Sequence, residues 1–306
     1  MAVLLPIALI LALLAFEFLA TSRAARFWLA LERRHAGLRL REARIPGFTM
    51  PYLEGGRGEV LLLLHGFAGD KDNFTRVARF LTGHFRVIAP DLPGFGEATR
   101  DAAAPYHIGA QVERLHAFAA QLKLTSFHLG GNSMGGFIAA QYAAAHPAQL
   151  RSLWLLDAAG CAVAYDTDFI SGYLQTGKLP MLVNSAAEFD ALLAAVTLHP
   201  PWLPPSLRRT LARRAIADCE LHRRIFREIG TESPTLEAVY PSITAPTLIV
   251  WGSEDRILSP SAAPRMQALI PSSETVLMAK TGHLPMVEHP RQAARDYLRF
   301  VSRHTA

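Results

Sequence analysis

A short segment at residues 131–135, with the sequence Gly-Asn-Ser-Met-Gly, contains the residue best suited to nucleophilic chemistry in this chain of 306 residues. Small residues on both sides of Ser133 let a strand turn sharply into a helix, which holds the serine hydroxyl above the edge of a sheet. Three fixed positions of such common residue types recur by chance in roughly one chain in ten of this length. The segment alone is therefore a weak signal, and its partners must be found elsewhere in the sequence.

A serine hydroxyl becomes a good nucleophile when a histidine takes its proton and a carboxylate orients that histidine. Asp255 follows one predicted strand near the end of the chain, and His283 follows the next. The order Ser133, Asp255, His283 suits a serine at a strand-to-helix turn. Because loops at the carboxyl ends of parallel strands lie together, we expect these side chains to converge. Asp157 also ends a predicted strand, but the position of Asp255 in the fold favours Asp255 as the carboxylate that orients the histidine.

Acyl transfer also needs hydrogen-bond donors for the negative oxygen of a tetrahedral intermediate, each worth about 3 kcal/mol in known cases. The backbone N–H of Met134, directly after the serine, is one candidate, and the N–H of Phe67, in the loop after another predicted strand, is the second. Gly66 lets this loop approach closely. His65 is interpreted as ordering the loop and not as a base.

The elements that must position these residues alternate between strand and helix. Residues 59–64, Glu-Val-Leu-Leu-Leu-Leu, predict a strand buried on both faces. Further strands are predicted at residues 85–89, 126–130, 150–156, 247–251 and 274–278, and helices near residues 70–81, 107–122, 134–146, 261–269 and 290–303. This alternation predicts an α/β fold, a mostly parallel sheet with helices on both faces, formed by residues 37–159 and 241–306.

Residues 160–240 interrupt the alternation and predict a helical cap, or lid, inserted over the sheet. This stretch is rich in apolar side chains and contains a Pro-Pro-Trp-Leu-Pro-Pro run at residues 200–205. The apolar side chains either line a tunnel for an acyl chain or pack against one another within the cap. Both interpretations stay open on the sequence.

The N-terminal residues 1–20 are almost entirely apolar, with Glu17 as the one charged interruption. A helix of about 19 residues spans about 28 Å, close to a hydrocarbon core of roughly 30 Å. A transmembrane anchor is favoured over a cleaved signal peptide because no basic residue precedes the run and no clear cleavage site follows it. A buried helix is the third alternative. Residues 21–36 mix arginines with aromatic side chains, which predicts a juxtamembrane helix on the bilayer or an ordinary solvated helix.

The composition excludes several other classes of protein. The net charge of +5 is modest and the arginines are dispersed, so there is no nucleic-acid footprint. Cys161 and Cys219 are too few for a disulfide framework, and no other metal-ligating residues accompany them at a suitable spacing. A single disulfide between the two is an alternative that the sequence does not decide. No sequence feature calls for a metal or a cofactor.

Taken together, the chain resembles the α/β-hydrolase superfamily over nearly all of residues 37–303. The motifs that carry the resemblance are His-Gly-Phe at 65–67, Asp-Leu-Pro-Gly-Phe-Gly at 91–96, Gly-Asn-Ser-Met-Gly-Gly at 131–136, Trp-Gly-Ser-Glu-Asp at 251–255 and Gly-His at 282–283. Within the superfamily it is similar to membrane-anchored monoacylglycerol lipases and bacterial anchored phospholipases A. The segments that support this are residues 65–72, 109–116 and 223–226, together with the apolar N-terminus.

The resemblance implies a serine carboxylester hydrolase that acts on lipid esters delivered from a bilayer. It also implies a location in a bacterial inner membrane with the catalytic domain on the periplasmic side, although the arginines after the apolar run favour the cytoplasm. A homodimer through the N-terminal helices is a further expectation. Two alternatives are a carbon–carbon bond hydrolase of ring-fission products, from whose Gly-Pro-Gly loop residues 66–69 depart, and a lipid-binding protein with a vestigial site.

Overall fold

The computed structural model describes residues 16–304, and eight strands within them form a single sheet. The strands are β1 (Leu38–Ile45), β2 (Phe48–Gly56), β3 (Glu59–Leu64), β4 (Phe85–Pro90), β5 (Phe127–Asn132), β6 (Leu150–Leu156), β7 (Thr247–Gly252) and β8 (Ser273–Met278). They lie in the order β1-β2-β4-β3-β5-β6-β7-β8. β2 pairs antiparallel with β1 and β4, and all other pairs are parallel. The predicted mostly parallel sheet is confirmed.

Helices connect these strands along most of the chain. They are α1 (Thr21–His35), α2 (Thr75–Ala78), α3 (Ile108–Gln121), α4 (Met134–Ala145), α5 (Asp168–Thr176), α6 (Ala186–Val196), α7 (Pro205–Ala217), α8 (Cys219–Glu232), α9 (Ala262–Leu269), α10 (Pro285–Glu288) and α11 (Pro290–His304). Short 3₁₀ turns lie at Lys71–Phe74, Pro147–Gln149, Ala162–Tyr165 and Tyr240–Ser242. Residues 16–19 are also helical and lead into α1.

Strand β3 is buried on both faces, as its continuous run of leucines predicts. Leu62 and Leu64 belong to the apolar core that contains α3 and α4, whereas Leu61 and Leu63 belong to the core that contains α2 and α11. Alternate side chains of a strand point to opposite faces of its sheet. Both faces of the sheet are therefore covered by helices, which leaves the strand ends as the place for polar chemistry.

The chain between β6 and β7 folds as helices α5 to α8, and the described residues form no strand there. We call residues 160–240 the helical insert. Val183, Phe189 and Ala212 form a small apolar cluster of its own. The insert therefore has internal packing in addition to its contacts with the sheet domain.

The single helix predicted at residues 70–81 is wrong in form. The chain instead makes the 3₁₀ turn Lys71–Phe74, one turn of α2, and then further turns, in which Phe80 N–H donates to the Val77 carbonyl over 3.0 Å. The reason lies at Lys71, whose backbone N–H and ammonium both donate to Asp91, over 2.8 and 2.7 Å. These two hydrogen bonds hold Lys71 in place and favour the 3₁₀ conformation of the first turn.

Of the predicted membrane anchor, residues 1–15 lie outside the described part of the chain. Across residues 16–304 we find no helix that has both the length and the apolar character to cross a bilayer. The segment predicted as a juxtamembrane helix forms α1, which packs along α7 of the helical insert and buries Ala24 and Ala25. At least one face of α1 therefore packs against the rest of the protein and is not available to contact a bilayer.

Candidate active site

Ser133 lies at the one-residue turn between β5 and α4, with φ of 54° and ψ of −119°. This backbone conformation is uncommon for any residue with a side chain and indicates local strain. A Cβ atom on Gly131 would lie 2.1 Å from the Gly135 carbonyl oxygen, and one on Gly135 would lie 2.2 Å from the Leu64 carbonyl oxygen. The glycines of the motif are therefore required by space, and the turn presents the serine hydroxyl at the end of β5.

Asp255 and His283 come together as the sequence predicts. Nδ1 of His283 lies 2.7 Å from Oδ2 of Asp255, and both side chains are buried. The other carboxylate oxygen, Oδ1, accepts hydrogen bonds from the backbone N–H groups of Ile257 and Leu258, over 2.8 and 3.1 Å. With Asp255 fixed in this way, Nδ1 of His283 carries the proton and Nε2 is left as the acceptor.

The histidine loop is tied to the serine strand through Asn132, a role that the sequence interpretation missed. The Asn132 side-chain amide donates to the Leu156 carbonyl and to the His283 carbonyl, over 3.1 and 3.0 Å. Ser133 and His283 line the same cavity. The one available signal was the position of this asparagine, directly before the serine.

The loop after β3 lies against the serine. A Cβ atom on Gly66 would lie 3.1 Å from Cβ of Ser133, so the loop that carries the Phe67 N–H approaches the serine closely. His65 Nδ1 donates to the Gly66 carbonyl over 2.8 Å, and its Nε2 accepts from the Leu92 N–H over 3.0 Å. Burial lowers the pKa of His65 to about 4, so this histidine is neutral and orders the loop, as expected.

Asp157 lies beside Asp255 but makes different contacts. Its Oδ1 accepts from the Gly252 N–H over 2.8 Å. Complete burial and the neighbouring Asp255 raise the pKa of Asp157 well above its ordinary value. One ligand atom each of Asp157, Asp255 and His283 lies within 4.8 Å of the others. Because a protonated carboxyl is a poor metal ligand, this cluster suits proton transfer better than metal binding.

The turn after β4 contains a buried ion pair. The Lys71 ammonium donates to Asp91 and Glu97 over 2.7 and 2.6 Å, and Lys71 and Asp91 are both buried. A Cβ atom on Gly96 would lie 2.3 Å from the Asp91 carboxyl group. Asp91, interpreted from the sequence as a turn residue, thus does hold the turn. It also pairs with a buried cation, Lys71, which no sequence pattern indicates.

A cavity of about 230 Å³ extends from Ser133 and His283 between the helical insert and α1. The insert supplies most of the apolar part of its wall, namely Met181, Phe189, Leu192, Leu193, Val196, Leu203, Leu207 and Leu211. Leu29 of α1 and Leu284 also contribute. The wall can accommodate an apolar chain that extends away from the serine.

The two cysteines lie outside the chemistry of this site. Cys161 and Cys219 are both free and buried, so the disulfide left open on the sequence is not formed. Burial raises the pKa of the Cys161 thiol to about 11, which makes it a poor nucleophile.

Comparison with known proteins agrees with the resemblance found in the sequence. A family model for the alpha/beta hydrolase fold matches residues 59–290. Lipase 1 of Psychrobacter immobilis is 38% identical over 276 residues, which cover 89% of this chain and 86% of the lipase. Human monoacylglycerol lipase ABHD6 is 30% identical over 306 residues, covering 96% of this chain and 91% of the relative.

Among solved structures, the crystal structure of a bacterial membrane phospholipase A superposes with a TM-score of 0.90 at 39% identity and covers 98% of both chains. The family match extends over most of the sheet domain and includes Ser133, Asp255 and His283. The chain therefore belongs to the alpha/beta hydrolase fold family.

Proposed function

We propose that this serine ester hydrolase cleaves acyl esters of lipids through an acyl-enzyme on Ser133. The observation that carries the proposal is a single cavity that joins Ser133 on its strained turn, His283 oriented by Asp255, and a wall of apolar side chains. The lipase and phospholipase relatives support lipid esters as the substrate class.

In the proposed reaction, Oγ of Ser133 attacks the acyl carbonyl carbon while Nε2 of His283 takes the hydroxyl proton. The carbonyl oxygen becomes negative and is held by the backbone N–H groups of Phe67 and Met134. As the tetrahedral intermediate collapses, the alcohol leaves with the proton from His283. Water then attacks the acyl-serine with the same base and releases the fatty acid.

The helical insert acts as a cap in this proposal. Leu192, Leu193 and Leu211 line the cavity and also pack within the insert, which supports a wall for the acyl chain that is also part of the packing of the insert. An acyl chain placed along this wall would exchange water contact for apolar contact at about 25 cal/mol per Å². On this proposal, acyl esters with longer chains are cleaved faster than acetyl esters.

We further propose that residues 1–20 anchor the enzyme in a bacterial inner membrane, with the catalytic domain on the periplasmic side. The apolar sequence of this run and the membrane phospholipase A relative support the anchor. Phe18, Leu19, Phe27 and Leu31 expose apolar side chains at this end of the molecule. Association into a homodimer through the N-terminal helices stays a prediction of the same proposal.

Release of fatty acid from a panel of detergent-dispersed lipids tests the function, with Ser133→Ala as the blank. The panel contains mono- and diacylglycerols and phospholipids of several acyl lengths. We expect release by the wild-type enzyme and none above background by the variant. Turnover of a ring-fission dienoate without fatty acid release would favour the carbon–carbon hydrolase, and lipid binding without any turnover would favour the vestigial site.

A further inference from the structure

The N-terminal helical segment, residues 16–35, contributes to the cavity and is more than a connection to the apolar run. Leu29 and Glu32 of α1 line the cavity that contains Ser133. α1 also packs along α7, whose Leu207 and Leu211 lie in the same wall. The segment therefore borders the reaction space on one side and the helical insert on the other.

Arg33 makes the strongest polar contact between this segment and the sheet domain. Its Nε and Nη2 donate to Oδ1 and Oδ2 of Asp72 over 2.7 and 2.6 Å, and the two side chains are only 14% and 12% exposed. A bidentate arginine–carboxylate pair fixes both orientation and distance. The guanidinium of Arg33 is thus occupied by the protein and is not free for a lipid phosphate.

Asp72 is joined to the loop of the Phe67 N–H by a chain of short contacts. The Asp72 N–H donates to Oδ1 of Asp70 over 2.9 Å, and the Asp70 N–H donates to Oδ1 of Asn73 over 2.7 Å. The Gly69 N–H then donates to the Gly66 carbonyl over 3.1 Å. Together with the peptide bonds from Asp70 to Gly69 and from Gly66 to Phe67, these contacts connect Asp72 to the Phe67 N–H.

The helical insert contacts both the N-terminal segment and the loop at residues 66–72. Glu17 Oε2 accepts from the Ser206 N–H over 2.9 Å at the first turn of α7, and Arg209 of α7 donates to the Glu17 carbonyl over 2.6 Å. Arg214, also on α7, pairs with Asp70. The N-terminal segment, α7 and the loop at residues 66–72 thus form a closed set of polar contacts around the cavity.

We propose that Arg33 is a positioning residue for the ester hydrolysis assigned to Ser133, acting through Asp72 on the Phe67 N–H that holds the oxyanion. The inference rests on that proposed function. It gives α1 a role in catalysis that does not depend on the bilayer, and it separates Arg33 from the exposed arginines of the same helix. Arg26 is exposed, and within the described residues it makes no hydrogen bond or ion pair, so it is the matched control.

The test uses the full-length protein in detergent with a short water-soluble ester, p-nitrophenyl butyrate, for which no bilayer is needed. We expect Arg33→Met to lower kcat by roughly ten- to a hundredfold with KM changed less than threefold, because the bound ester is unchanged and the oxyanion donor is displaced. Arg26→Met retains wild-type kcat. Arg33→Lys, which keeps the charge but not the bidentate geometry, recovers part of the loss.

Thermal melting of each variant accompanies the assay, so that a lowered kcat in a protein still folded at the assay temperature is attributable to the site. Equal activity of Arg33→Met and Arg26→Met on the soluble ester, with both impaired on vesicles of anionic phospholipid, would overturn the inference in favour of lipid contact. Lack of any recovery with Arg33→Lys would also overturn it. A wild-type enzyme inactive on every ester contradicts the proposed function itself, a separate outcome.

Discussion

Asp157 and Asp255 are neighbouring buried carboxylic acids, yet they make different hydrogen bonds. Oδ2 of Asp255 lies 2.7 Å from Nδ1 of His283, and its Oδ1 accepts hydrogen bonds from two backbone N–H groups. Asp157 accepts the Gly252 N–H and has its pKa raised well above the ordinary value by burial and by Asp255. Two like charges at this separation are costly in a buried site, so one of the acids stays protonated.

This difference predicts opposite outcomes for the same substitution. Asp255→Asn lowers kcat by about 10⁴-fold, because the amide favours the wrong tautomer of His283. Asp157→Asn retains kcat within a few-fold, since the amide oxygen still accepts from Gly252 and no charge is removed. Asparagine also tolerates the φ of 42° at this position. Steady-state kinetics on a soluble ester decides between them, and a large loss in Asp157→Asn with little loss in Asp255→Asn would exchange the two roles.

The close approach of Gly66 to Ser133 gives a second prediction. In Gly66→Ala the new methyl group lies 3.1 Å from Cβ of Ser133 and 3.2 Å from Oδ1 of Asn132, so the loop and the serine must separate by a few tenths of an ångström. We expect kcat to fall by roughly a hundredfold, as for a displaced oxyanion donor. Gly83→Ala is the control, because its methyl group meets no atom within 4 Å. Equal kcat in the two variants would remove the Phe67 loop from the oxyanion site.

Much of this arrangement was predictable because the strands are short apolar runs that end in glycine and polar residues. Ser133, Asp255 and His283 were identified because each follows such a run. The rest depends on contacts between distant segments. Arg33 and Asp72 are 39 positions apart, and no local pattern in the sequence pairs them.

The sequence favours Asp255 over Asp157 as the acid from its position after the later strand, but it does not show that the two carboxyl groups are buried side by side, which is what raises the pKa of Asp157. The helix predicted at residues 70–81 failed for the same reason. Asp70 does cap the first turn, but that turn is a 3₁₀ turn whose Lys71 pairs with Asp91 on another segment, a contact that no local pattern reveals.

The buried histidines predict how stability changes with pH. Burial lowers the pKa of His65 and of His222 from 6.5 to about 4. The unfolded chain binds these protons more readily than the folded one, so their contribution to stability is complete above pH 6.5 and is lost as the pH falls towards 4. Each unit by which the pKa is lowered on folding corresponds to about 1.4 kcal/mol in the free energy of unfolding.

We therefore expect the melting temperature to fall between pH 7 and pH 5, and to fall less steeply in His222→Phe, which keeps an aromatic ring beside Phe95. Calorimetric melting at several pH values measures both slopes. Parallel slopes for the wild-type enzyme and His222→Phe would show that His222 titrates normally in the folded protein.

Ser133 is the residue that becomes acylated in the proposed reaction. Mass spectrometry of the full-length protein after brief treatment with a fluorophosphonate tests it most directly, with Ser133→Ala as the comparison. We predict one adduct per chain, located on the peptide that contains Ser133 and absent from the variant. An adduct at another residue, or equal labelling of Ser133→Ala, would contradict the account.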